Sequence, residues 1–329
     1  ATGAKFVCTY RYRQPRSGAE LYHYGLVGPD GVTPTSGGGQ FAQAARDLGQ
    51  IRGHATPRAP LPARYAARQA AILFSYPVRW DLDNHKQHKS WDTYEHLLKY
   101  HRALKRVGAP VDVIGEEKDF ASYPFLIAPA YQLLEEKLVA RWKLYAENGG
   151  HLILSCRTGQ KDRRGHLWEA AWAAPIHDLI GASIKFYDTL PAPHVGHVKT
   201  GNEVHAWATW GDVLEPQRGK GITPLATYVD QHYAGDIAAI TRKLGEGTVT
   251  YVGVDSTTGS LEAQLVRQVY ARAKVPTEYL AEGFLVDFRD GVWIATNQTA
   301  KAQRAPIPAR AKILLGQRNV PVAGVTVWQ

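Results

Sequence analysis

Between Tyr65 and Val275 the chain repeats one pattern: a short apolar run of strand length, then a longer stretch with apolar side chains at helical spacing. Ala70-Ala71-Ile72-Leu73-Phe74 reads as a buried strand, and Trp91, Tyr94, Leu98 and Leu104 then share one helix face. Gly108-Ala109-Pro110 stops that helix before the strand Val111–Ile114. Phe125–Ala128 is the next strand. Leu134, Leu138, Trp142 and Tyr145 form a second stripe that ends at Asn148-Gly149-Gly150, a helix-stop signal. His151–Ser155 and Gly247–Val252 return to strand, and Leu261, Leu265, Val266 and Val269 mark a closing helix. Such alternation implies a doubly wound α/β domain, a parallel sheet covered by helices on both faces.

The flanking segments obey other rules. Phe6-Val7-Cys8-Thr9-Tyr10 has the composition of a buried strand, and a Gly-rich stretch leads to a helix from about Gln40 with Phe41, Ala44, Ala45, Leu48 and Ile51 on one face. One β/α unit cannot close a barrel or cover both faces of its strand, so residues 1–52 need a partner the chain does not contain. A bare helix face and an open strand edge would make the chain poorly soluble alone. Residues 53–64 carry Pro57, Pro60 and Pro62 and read as an extended linker. The doubly wound domain is expected over 65–278. Residues 279–329 form a small antiparallel β domain, in which Phe284–Phe288 and Val292–Ala295 flank the hairpin signal Asp290-Gly291.

A net charge of +9 raises the question of nucleic acid. The Lys and Arg residues are scattered, however, and no nucleic-acid motif accompanies them, so a solvated surface is expected. No apolar run suits a membrane span, and the first residues lack the pattern of a secretory signal. The 329 residues include no Met, which is expected of an internal fragment. Cys8 and Cys156 make neither a metal framework nor a disulfide scaffold, and they fit a cytoplasmic protein.

The stretch from Thr9 to Leu26, TYRYRQPRSGAELYHYGL, concentrates aromatic rings, hydrogen-bonding groups and one acid after the first expected strand. Aromatic rings offer a sugar its apolar wall, and carboxylate and imidazole groups bind hydroxyls. By composition alone, the plainer reading is a polar loop whose Arg and Glu pair with each other. The stretch resembles the eighth strand and following loop of the β-galactosidases of glycoside hydrolase family 42: a YRWRQ-like core, then Glu-x-x-His, then Gly-Leu. The segments SYPVRWDLDNH, LSCRTGQKDRRGHLWE and TWGDVLEP are similar to that family's trimerisation domain, a doubly wound fold related to glutamine amidotransferases. The last hairpins are similar to its small β domain.

The resemblance implies a fold in three parts: the last β/α unit of a TIM barrel, the amidotransferase-like domain, and the antiparallel domain. It implies that Tyr10 lies against galactose, that Glu20 and His23 bind its hydroxyls, and that Arg11, Arg13 and Gln14 support them. The family's two catalytic glutamates follow the fourth and seventh barrel strands, positions that precede Ala1, so no catalytic residue is expected here. The family's zinc cluster belongs to the same preceding part, so no metal is assigned, and no cofactor is expected. A β-galactoside substrate, a homotrimer and the missing N-terminal barrel segment are the implied partners.

Other motifs are weaker. Cys156 follows a buried strand as an amidotransferase nucleophile would, yet Arg157-Thr158-Gly159 lacks the small-residue elbow. His85 and His88 have no acidic or Cys partner at ligand spacing and read as loop histidines. No GxGxxG follows the first strand of the doubly wound domain, which argues against a dinucleotide. Asn297-Gln298-Thr299 is a glycosylation sequon.

Overall fold

The structure, a computed structural model, describes residues 6–329. It divides into two compact units: Pro62–Leu280, and the N-terminal stretch to Leu61 together with Ala281–Gln329.

In the unit Pro62–Leu280 the sheet has two halves. Its parallel half runs in the order Val111–Ile114, Ala70–Leu73, Phe125–Ala128, His151–Ser155, Gly247–Val252. Ala70 is in register with Val111 on one side and Phe125 on the other, and His151 with Phe125 and Thr248. Every residue of Ala70–Leu73 and Phe125–Ala128 is buried, as strands covered on both faces require. On one face Ala71, Leu126 and Leu152 meet Leu138, Trp142 and Tyr145 of helix Glu136–Glu147. On the other Ile72, Phe125 and Ile153 meet Tyr100 and Leu104 of helix Thr93–Arg106, and Leu265 and Val269 of helix Ser260–Arg272.

The sheet then continues in antiparallel fashion, a half the alternating pattern gives no sign of. Ile237–Leu244 turns back on Gly247–Val252 through Gly245, whose φ is +59°. A β-carbon on Gly245 would sit 2.3 Å from the Glu147 carbonyl oxygen, so the turn requires glycine. Ile222–Tyr228, Gly196–Thr200, Glu203–Pro216 and Val254–Ser256 follow in order, and Ala182–Asp188 pairs with the long strand Glu203–Pro216.

Two sequence expectations need correcting. The buried stripe of helix Thr93–Arg106 is His96, Lys99, Tyr100, Ala103 and Leu104, whereas Tyr94 faces out. Apolar periodicity skips His96 and Lys99 because it counts them as polar, yet both are buried against a carboxylate. The second correction is Phe6–Tyr10, which forms no ladder and leaves Phe6 83% and Tyr10 72% exposed. A strand exists only where neighbours take up its N–H and C=O groups, and none of the described residues does so for this stretch.

The helix expected from Gln40 spans Ser36–Arg52 and starts earlier because the Thr35 hydroxyl accepts from the Gly38 N–H at 3.1 Å. Gly38 packs so close to Leu26 that a β-carbon would lie 1.9 Å from its carbonyl oxygen. No residue of this helix is buried. In the same unit the antiparallel sheet runs Phe284–Arg289, Val292–Asn297, Val325–Trp328, Ile313–Leu315. Asp290 and Gly291 both take positive φ at the first hairpin, as that dipeptide predicts.

Candidate functional site

The loop after Tyr10 is organised by one carboxylate. Glu20 accepts from the Tyr10 hydroxyl at 2.9 Å and forms an ion pair with Arg11, whose guanidinium also lies 4.6 Å from the Tyr10 ring centre. The His23 N–H donates to the Glu20 carbonyl at 2.9 Å, so one tight turn carries both side chains, and His23 is exposed. Arg13 is turned away and donates to the Pro29 carbonyl at 2.9 Å; the Gln14 amide donates to the Leu21 carbonyl at 3.3 Å. The two ends of the loop are tied by Leu26 N–H to Arg11 O at 3.0 Å and Val27 N–H to Tyr12 O at 2.9 Å. Gly25 makes that closure possible, since a β-carbon there would meet the Arg13 and Gln14 backbone at 2.6 Å. Tyr10, Arg11 and Glu20 are thus brought together, His23 sits one turn on, and Arg13 and Gln14 brace the loop backbone. The pairing of Arg with Glu that composition allowed is present. It leaves the exposed Tyr10 ring and the His23 imidazole facing solvent.

The unit Pro62–Leu280 holds a cluster that sequence motifs do not reveal. His96 lies between Asp255, 2.7 Å from Nδ1, and Ser155, 2.8 Å from Nε2. The Lys99 ammonium donates to Asp255 and to the Ser256 carbonyl, both at 2.6 Å, and the Thr209 hydroxyl donates to the other Asp255 oxygen. Ser155 is fully buried and accepts from the Ala130 N–H at 2.7 Å, so its hydroxyl is spent on structure. Cys156 beside it is also fully buried, and burial pushes its thiol well above the usual range. A protonated, inaccessible thiol is no nucleophile. Contrary to the sequence reading, His85 does have an acidic neighbour, since Asp81 one helical turn back lies 3.3 Å away, while His88 donates to the Leu190 carbonyl and accepts from the Ser90 N–H. Asn297 is buried and its amide donates to the Lys301, Val320 and Pro321 carbonyls, so the sequon serves the fold.

Comparison with known proteins identifies the family. The family model described as the β-galactosidase trimerisation domain matches residues 68–278, and the β-galactosidase model matches residues 1–51. The chain belongs to glycoside hydrolase family 42. It is 28% identical over 320 residues to the β-galactosidase BgaH of Haloferax lucentense, covering 97% of this chain and 46% of that protein. It is 26% identical to the β-galactosidase BgaB of a Geobacillus species over 88% of this chain and 42% of the relative. Among solved structures, the β-galactosidase of the Antarctic haloarchaeon Halorubrum lacusprofundi superposes with a TM-score of 0.85 at 28% identity, over 97% of this chain and 46% of that one. The chain therefore spans about half the length of the relatives it matches. Within this family 42 chain, the loop of Tyr10, Glu20 and His23 falls in the segment matched by the β-galactosidase model, and the buried cluster falls in the trimerisation domain.

A second buried carboxylate of that domain gives a pH-dependent prediction. Asp212 accepts from the Trp210 indole N–H at 2.8 Å and the Tyr251 hydroxyl at 2.7 Å, and burial pushes its pKa up to about 6. The unfolded value is about 3.9, so the folded chain holds this proton more tightly. The ionised form then costs stability above about pH 6, and the cost fades as pH falls toward 4. A shift of this size is worth about 3 kcal/mol. Urea unfolding of Asp212→Asn against the wild type is expected to show a difference that changes with pH across this window. Parallel pH profiles for the two proteins contradict the assignment.

Proposed function

We propose that this chain is the C-terminal portion of a retaining β-galactosidase that hydrolyses terminal β-D-galactosides. Its 1–52 segment is the last β/α unit of the catalytic barrel and lends one wall to the galactose pocket. Tyr10 lies against the sugar ring, and Glu20 and His23 bind its hydroxyls. Arg11 fixes the Glu20 carboxylate, and Arg13 and Gln14 hold the loop in shape. The reading is carried by one observation: Tyr10, Arg11 and Glu20 are bound to one another on a loop closed at Gly25. Retaining hydrolysis takes two carboxylates about 5–5.5 Å apart, one as acid/base and one as nucleophile. That pair belongs to a part of the protein preceding this chain. The loop contributes binding that strengthens as the ring distorts.

Kinetics of His23→Ala in the complete enzyme test the pocket wall. The imidazole is exposed, so folding is spared. Loss of one hydroxyl contact is expected to cut kcat/KM for a nitrophenyl β-galactoside about tenfold. An unchanged kcat/KM removes His23 from the pocket.

The domain over 65–278 assembles subunits into a homotrimer. The match to a trimerisation-domain model supports this reading. Light scattering on the chain is expected to give three times the 36.4 kDa chain mass; a stable monomer across the concentration range contradicts it. The protein works in the cytoplasm on this reading, and among the described residues no helix is long and apolar enough to cross a membrane.

A further inference from the structure

Doubly wound sheets usually take ligands in the crevice outside the carboxyl ends of the strands where the strand order reverses. Here that point lies between Ala70–Leu73 and Phe125–Ala128, and Phe74, Ser75, Pro129 and Tyr131 leave only about 20 Å³ there. This is room for about one water. A larger cavity of about 350 Å³ opens nearby, with Asp255 and Lys99 of the buried cluster at its lining. Its volume sits at the lower end of the roughly 300–1,000 Å³ range of small-molecule sites, which suits a monosaccharide better than a nucleotide.

The lining offers an anion no free ammonium or guanidinium. Asp255 is neutralised by Lys99 and held by His96 and Thr209, and the Lys99 ammonium is shared between Asp255 and the Ser256 carbonyl. Glu95 is paired with Arg102. Asp92 caps the helix, accepting from the Glu95 N–H at 2.9 Å. His88 has both ring nitrogens engaged, one with the Leu190 carbonyl and one with the Ser90 N–H. Lys99, Asp255 and Glu95 already have counter-charges, whereas the Asp92 carboxylate has a backbone N–H and no counter-charge among the described residues, so an anionic ligand finds no unspent ammonium and meets a carboxylate. What the cavity offers instead are the hydroxyls of Ser90 and Thr257, with the Thr209 oxygen as a further acceptor, and an apolar wall that includes Leu190, Pro193 and Val195. Hydroxyl edges and a C–H face are the two surfaces of a pyranose ring.

We propose that this cavity binds a neutral polyol of monosaccharide size, a carbohydrate site additional to the Tyr10–His23 loop and independent of it. Calorimetric titration of the 329-residue chain with D-galactose, D-galactosamine and D-galacturonate tests it. The three share a ring and differ in charge. Saturable binding of galactose is expected, at least about tenfold tighter than galacturonate. Ala208→Trp fills the cavity and is expected to abolish binding. Thr257→Val, at an exposed position where folding is spared, is expected to weaken it about tenfold by removing one hydrogen bond. The double variant Glu20→Gln, His23→Ala keeps this binding, which separates the cavity from the loop. No saturable galactose binding by the wild type, a preference for a charged ring, or unchanged binding in Thr257→Val overturns the proposal.

Discussion

Replacing Asp255 with alanine is expected to destabilise the Pro62–Leu280 unit by about 3–5 kcal/mol, because it strands a buried ammonium. For a unit of this size the loss corresponds to a fall in Tm of roughly 6–20 °C. Lys99 is 6% exposed, and without Asp255 its ammonium keeps only the Ser256 carbonyl among its described partners. His96 loses the partner on Nδ1, and Thr209 loses its acceptor. Burial alone would raise the Asp255 pKa, but the charges and hydrogen bonds of His96 and Lys99 outweigh it and hold the carboxyl well below the usual range. The folded-state pKa is depressed, so this stabilisation is complete above about pH 4, the unfolded value, and is lost as pH falls further. Thermal unfolding at neutral pH gives the result directly, and a loss under about 1 kcal/mol would show that the pair merely offsets its own desolvation.

The second large effect is an absence of catalysis. The acids of the Tyr10 loop and the turn that follows are already committed: Glu20 to Tyr10 and Arg11, and Asp30 to the Val32 and Thr33 N–H groups and the Thr33 hydroxyl. Those bonds lower the Asp30 pKa to about 2, the Thr33 hydroxyl contributing most. Acid/base work on a glycosidic bond needs a carboxyl group that exchanges a proton near the working pH. A carboxylate fixed by a turn at that value cannot be the proton donor. Glu20 is an acceptor already oriented by a hydroxyl and a guanidinium, which is the character of a binding group. The rate enhancement of a glycosidase, many orders of magnitude, is therefore not expected from this loop, and on the proposed function the carboxylate pair that supplies it lies outside these 329 residues.

Where the sequence was legible, the reason is burial on both faces. Ala70–Leu73 and Phe125–Ala128 show as continuous apolar runs because nothing polar can sit on either side of them. The antiparallel strands of the Pro62–Leu280 unit were opaque by the same logic. Glu203–Pro216 mixes Glu, His, Trp and Asp, and its partners are chosen by long-range pairing that no local pattern announces. The cluster around Asp255 was hidden for a related reason, since His96 and Ser155 lie 159 and 59 positions from the groups they touch. His96 and Lys99 looked like solvent-facing residues until a carboxylate from a distant strand was placed beside them. Phe6–Tyr10 shows the converse failure. Its aromatic and β-branched composition promises a strand, but composition supplies no ladder. The loop of Tyr10, Glu20 and His23 was found through its resemblance to a family motif; its internal hydrogen bonds, with Gly25 permitting the closure, became visible only in three dimensions.

On the proposed function, this chain binds galactose in the complete enzyme but does not carry the reacting carboxylates. Purified 329-residue chain should be incubated with a nitrophenyl β-D-galactoside, with Glu20→Gln in parallel. Release of nitrophenol at the buffer rate by both proteins is the predicted result. Turnover by the wild-type chain that vanishes in Glu20→Gln would place a catalytic acid in the loop and contradict the account.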